Sequence, residues 1–142
     1  MTYTKQAWVA RETVVSAARM NHIEEGIEAA HDLSEDTGWI DIPLRSGFSP
    51  QPSFAPRGRR IGSVVYLSGG ISGTGISART AYTVADIPVA LRPARAVYTM
   101  GGGSSADSSP LIVVNTGGAL EMRTNAQTPA YCLMDGLSYL VD

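Results

Sequence analysis

The sequence predicts a mainly β protein, with a short N-terminal oligomerising α-helix followed by an antiparallel β-sandwich or barrel. In residues 16–35 the apolar side chains Met20, Ile23, Ile27 and Ala30 step by three, four and three, the period of a narrow helical seam. From Trp39 onward the pattern changes to short β-branched and aromatic runs parted by Gly, Pro, Ser and Asn. Three segments follow: an arm over 1–15, a helix over 16–35 and a β domain over 36–142.

The arm carries Tyr3 and Trp8 without a helical period, so an extended segment that docks on a partner is expected. Ser16 reads as an N-cap, with Val15 and Met20 placed as a hydrophobic staple. The helix is expected to end around Ser34 to Gly38, where SEDTG clusters capping and turn residues. A lone helix of this length is marginal in water, and its seam is too narrow for a broad core face, so burial against copies of itself is expected. Burying Met20, Ile23 and Ile27 stabilises by about 1.5–3 kcal/mol each. Met, Ile and Ala at the seam leave the number of helices open. Gly26 costs about 1 kcal/mol relative to Ala. Either neighbouring backbones approach closely there or the glycine is simply tolerated.

The β domain contains the runs WIDIPL, RRIGSVVYLSGGI, RTAYTVADI, ARAVYTM, PLIVVNT, ALEMRT and AYCLMDGLSYLV. They read as about seven strands. Ser63 to Leu67 and Leu111 to Val114 are apolar on both faces. One face belongs in the core, and the other lies against a neighbouring subunit or inside a central strand. Pro43, Pro88, Pro93, Pro110 and Pro129 fall at strand ends, where a missing N–H does least harm.

At 142 residues the chain suits one modest domain with an appendage. Eleven Lys and Arg against 13 Asp and Glu give a net charge of −2, so neither nucleic acid nor an anionic membrane is an expected partner. Cys132 is the single cysteine, which excludes an internal disulfide. No run approaches the roughly 18 apolar residues of a membrane span, and the opening MTYTKQAWVARE lacks a signal-peptide core. Synthesis in the cytosol without membrane insertion is expected.

Few residues suit catalysis or cofactor binding. Gly73-Thr-Gly75-Ile-Ser-Ala78 matches the dinucleotide fingerprint in form, but RTAYTVADIP follows where a helix should open, so a hairpin turn is expected instead. His22 and His31 both fall in the helix, nine residues apart, which is not the spacing of a helical metal pair. Asp41, Asp86, Asp107, Glu121 and Asp135 are isolated in sequence. No catalytic residue, cofactor or metal is therefore expected. Arg57, Arg59 and Arg60 form one basic cluster, either a solvated strand start or a contact for a saccharide phosphate or polyanion. The loop from Met100 to Ser109 is small and polar, as binding loops and idle connections both are. Trp39, Tyr66, Tyr82, Tyr98, Tyr131 and Tyr139 offer aromatic faces for stacking or for packing.

Ser16, Ala17, Met20, Asn21, Ile23, Glu24, Gly26 and Ile27, within VVSAARMNHIEEGIEAA, resemble a segment near the start of many phage tail or head-fibre proteins of the receptor-binding class. GWIDIPLRSGF, RRIGSVVYLSGGI, DIPVALRPARAV, LIVVNTGGALEMRT and MDGLSYLV then follow in the order of the β-heads of those proteins. The resemblance implies a homotrimeric virion protein, located on a phage tail or particle surface. Its helices form a short bundle with Met20, Ile23, Ile27 and Ala30 as the seam, and each chain adds a jelly-roll-like head. It further implies an arm with Tyr3 and Trp8 docked on other tail or baseplate proteins, and heads that recognise host cell-wall saccharide without being enzymes. Arg57, Arg59, Arg79, Tyr82 and Asp107 are the candidate saccharide contacts. A structural accessory that binds no glycan and a small wall depolymerase are the alternatives.

Overall fold

A computed structural model describes residues 16–105 and 108–141. The docking-arm positions Tyr3 and Trp8, the staple residue Val15 and the candidate contact Asp107 lie outside them. The chain divides into two units, 1–35 and 36–142.

The first unit contains the helix α1, Ala17–Ser34. Ser16 caps it as its sequence position predicts: its backbone is extended, and its hydroxyl and carbonyl oxygens both accept from Arg19 N–H. At the other end Ser34 Oγ donates to the His31 carbonyl, satisfying one orphaned acceptor of the last turn. In the single chain Met20 and Ile27 are 44% and 57% exposed, and Ile23 is half-buried. A Cβ on Gly26 would meet nothing within 4 Å among the described residues, so no contact with them offsets the cost of that glycine.

Among its described residues the second unit has twelve strands in three four-stranded sheets, every pairing antiparallel. In chain order they are β1 (Ile40–Asp41), β2 (Phe48–Pro50), β3 (Arg57–Ile61), β4 (Val64–Ser68), β5 (Gly70–Gly73) and β6 (Ala81–Asp86). After a 3-10 turn at Val89–Leu91 come β7 (Val97–Met100), β8 (Gly102–Gly103), β9 (Leu111–Val114), β10 (Ala119–Arg123), β11 (Tyr131–Leu133) and β12 (Leu137–Leu140). The first sheet is ordered β1-β3-β4-β12, the second β6-β10-β9-β7 and the third β2-β5-β11-β8.

The antiparallel β character agrees with the sequence, but about seven strands were expected. The excess arises because apolar runs read as single strands bend from one sheet into another. RRIGSVVYLSGGI supplies β3, β4 and β5, turning at Gly62 and again at Gly69. AYCLMDGLSYLV supplies β11 and β12. Since β4 pairs with β12 and β5 with β11, these four strands form one two-stranded ribbon folded across two sheets. Gly101 makes a similar corner between β7 and β8, where a Cβ would lie 2.8 Å from Cys132 Sγ and 2.9 Å from Ile112. The Met100 to Ser109 segment is therefore part strand. Gly73 to Ala78 is not the expected hairpin turn either: β5 and β6 belong to different sheets, and the segment crosses between them.

The core runs through all three sheets, with Val65, Leu67, Ile71, Val84, Ile87, Leu91, Ile112, Val114, Leu120, Met122 and Met134 buried in one cluster. Tyr139 enters it with its hydroxyl donating to the Leu91 carbonyl at 2.6 Å, and burial raises its pKa. The second face of β9 is covered within the chain. Val113 is fully buried, with Tyr98 and Glu121 beside it in register, and needs no neighbouring subunit to cover it. In DIPVALRP, Arg92 Nε donates to the Ile87 carbonyl while Ile87 N–H donates to Gly118, locking the turn that joins β6 to the 3-10 helix.

Gly69 has φ +104, and a Cβ there would lie 2.3 Å from the Ala55 carbonyl oxygen. Gly136 is also left-handed, at φ +81, but opens onto empty space. Gly69→Ala is therefore expected to cost at least about 2 kcal/mol, whereas Gly136→Ala costs only local strain of about 1 kcal/mol. Urea midpoints of the two variants check this; equal midpoints would contradict the close-packed corner.

Candidate functional site

Side chains alternate across a strand, so register divides the first sheet into two faces. Ile40, Gly58, Leu67, Leu137, Val65 and Tyr139 point one way, toward the core. The outward rows are Asp41, Arg57 and Ser68, then Arg59, Tyr66 and Ser138, then Ile61, Val64 and Leu140. This face mixes aromatic, cationic and acidic groups.

Trp39 stands at its edge, 44% exposed, with the Arg57 guanidinium 4.6 Å over its ring centroid. A cation–π contact at such an exposed site contributes about 0.5–1 kcal/mol and holds the long Arg57 side chain in one place. Arg59 is held differently, in a bidentate ion pair with Asp36 whose Nε–Oδ1 distance is 2.8 Å. The Arg59 hydrogen bonds, with help from Gly38 N–H, pull the Asp36 carboxyl down to about 2.

Two depressions open on this face. One, of about 470 Å³, is lined by Asp41, Arg57, Ser68, Phe54 and the turn before it. The other, of about 350 Å³, is lined by Trp39, Arg59, Tyr66, Asp135 and Gly136. Ser68 borders both. Their volumes fall within the range of small-molecule sites.

The ribbon corner fixes the walls of both. Gln51 N–H donates to the Gly70 carbonyl and Gly70 N–H to the Phe54 carbonyl, so the turn 51–54 hangs on the corner. Ser53 within that turn has φ +65, unusual without glycine, and the next residue, Phe54, is 51% exposed. On the other side Asp135 Oδ1 accepts from Gly69 N–H at 2.9 Å and Ser68 Oγ at 2.7 Å, and Met134 N–H donates to the Gly69 carbonyl. The Gly69 and Ser68 hydrogen bonds, and the charge of Arg57, lower the Asp135 pKa and keep it a carboxylate.

Of the candidate contacts, Arg57 and Arg59 come together here. Arg79 and Tyr82 belong to the crossing loop and the second sheet. Arg79 has φ +54 and donates its N–H to Asn125. The Tyr82 hydroxyl accepts from Ser77 N–H at 2.7 Å, and its ring packs edge-on against Phe48 beside the core. The contribution of Phe54 and Asp36 was not legible in the sequence. Phe54 follows a proline-rich turn with no strand period, and Asp36 lies far in sequence from the arginine it pairs with. Among the described residues no cluster of His, Cys, Asp and Glu gathers to hold a metal, and no helix is long and apolar enough to cross a membrane. Burial pushes the Cys132 thiol up to about 12, which keeps it protonated.

The sequence matches no family model and no curated protein. Among solved structures, it is similar to the receptor binding protein of Listeria phage PSA, with a TM-score of 0.62 and 21% identity over 94% of this chain and 82% of that one. The two share a fold. The likeness extends along nearly the whole chain, so it takes in the sheet that carries the face described above.

The ion pair has a pH consequence. With its pKa depressed in the folded state, Asp36 contributes its full stabilisation above about 3.8 and loses it as pH falls toward about 2. A carboxyl-detected NMR titration is expected to show a midpoint near 2 that rises toward the ordinary value in Arg59→Ala; an unmoved midpoint would contradict the pairing.

Proposed function

We propose that this chain is a non-enzymatic phage virion protein that attaches the particle to a host through surface saccharide. The observation that carries the reading is the fold shared, over 94% of this chain, with a protein named as a phage receptor binding protein. The outward face of the first sheet supports it chemically. The exposed Trp39 and Tyr66 offer ring faces for stacking on sugars, and Arg57, Asp41 and Asp135 offer donors and acceptors for hydroxyls.

In this reading three chains assemble through α1, with Met20, Ile23, Ile27 and Ala30 as the seam, and residues 1–15 dock on tail or baseplate proteins. The exposure of Met20 and Ile27 in the single chain supports such a seam, because burying them against copies recovers about 1.5–3 kcal/mol each. Three heads on one axis multiply a weak contact into useful avidity. Arg57 is favoured as a saccharide contact because it lines a depression with its guanidinium unpaired among the described residues; Arg59 lines the neighbouring depression but is paired with Asp36, and Arg79 and Tyr82 line neither.

Light scattering of the purified protein is expected to give the mass of three chains, and Ile23→Asp with Ile27→Asp a lower one; an unchanged mass in the double variant removes the seam. Adsorption of labelled protein to a panel of bacterial cells tests attachment. Trp39→Ala is expected to weaken it at least about tenfold without changing the mass. Binding by no strain in the panel, or undiminished binding by Trp39→Ala, would count against the proposed function or the proposed face respectively.

A further inference from the structure

The attachment reading leaves open what kind of sugar the face takes, and the charges bear on that. Arg59 is neutralised by Asp36. Among the described residues Arg57 has no carboxylate within ion-pair distance; it lies on Trp39, opposite Asp41 in register. Asp135 lies near enough for its titration to feel Arg57. The two depressions therefore contain one unpaired cation between two carboxylates, one on each side of the Trp39–Arg57 stack. A phosphodiester or uronic-acid chain would meet more negative than positive charge. Hydroxyls and amines would meet acceptors on both sides and a guanidinium in the middle.

The geometry also spans more than one ring. Ser68 borders both depressions, so they adjoin, with Arg57 lining one and Trp39 the other. Phe54 and Tyr66 place an exposed aromatic group in each direction from it.

We propose that these depressions are adjoining subsites for one uncharged or amine-bearing saccharide of at least two linked units, and that Asp41 and Asp135 discriminate against anionic polymers. This inference rests on the attachment reading and narrows it. A ring stacks beside Trp39 while its neighbour lies toward Phe54. The Asp135 oxygen not used by Ser68 and Gly69 is available to sugar hydroxyls or an amine.

The test is an array printed with neutral, amine-bearing, phosphorylated and uronic-acid glycans, from single sugars to tetramers, probed with the full chain at several salt concentrations. Neutral or amine-bearing oligomers are expected to bind, more tightly than their single sugars. Neutral oligomers should show little change with salt, whereas anionic polymers bound by counter-charge fall away steeply. Trp39→Ala is expected to lose the signal. The double variant Asp41→Asn with Asp135→Asn keeps an acceptor oxygen for Ser68 and Gly69, and should gain roughly tenfold in binding of phosphorylated glycans. Preference of the unaltered protein for phosphorylated or uronic-acid glycans overturns the charge rule while leaving attachment intact. A single sugar binding as well as its oligomer overturns the two-subsite arrangement. Neutral binding untouched by Trp39→Ala places the site elsewhere, and silence across the whole array overturns this inference together with saccharide recognition.

Discussion

The left-handed bend at Gly69 is the constraint on which the β unit depends. Here the β4–β5 strand of the long ribbon leaves one sheet for another, and the backbone of Ala55 occupies the space where a side chain would project. Close approach lets backbone groups do work otherwise left to side chains: Gly69 and Gly70 together bond to Gln51, Phe54, Met134 and Asp135. A bend that a larger residue would open is thus the anchor for both walls of the candidate site. The core makes the bend stable from behind, since Leu67 before it and Ile71 after it are both buried.

The outward face uses its charges sparingly. Two arginines are immobilised by different means, Arg59 by a bidentate carboxylate and Arg57 by an aromatic ring, and only the second keeps its donors available. Exposed ion pairs contribute little to stability in general, so the consequence of the Asp36–Arg59 pair is chiefly positional: it cancels a charge beside the groove. Asp135 also has a double role. One oxygen secures the corner, and the residue also lines the open depression, so the group that holds the fold stands where a ligand would be contacted.

Much of this architecture was legible in the sequence, and the gaps have physical causes. The helix was clear because capping at Ser16 and the period of Met20, Ile23 and Ile27 are local signals. The β character was clear for the same reason, but the strand count was not. SVVYLSGGI reads as one strand-like stretch while the backbone changes sheet at Gly69, and nothing local distinguishes a glycine in a hairpin from one at a corner. The arginine cluster was visible, yet its partners were not, because Trp39 and Asp36 reach Arg57 and Arg59 only through pairing of distant segments. Tyr82 illustrates the opposite error of emphasis: an aromatic with a free-looking hydroxyl in sequence whose oxygen is committed to Ser77 in the fold.

A hydrogen-exchange footprint tests most directly whether the corner at Gly69 builds the proposed binding face on the first sheet. The intact protein would be measured with and without soluble wall fragments from a bacterium to which it adsorbs. Slowed exchange concentrated in residues 50–57, 66–70 and 134–137 is the predicted result. Binding with protection confined to the second sheet and its loops would contradict it.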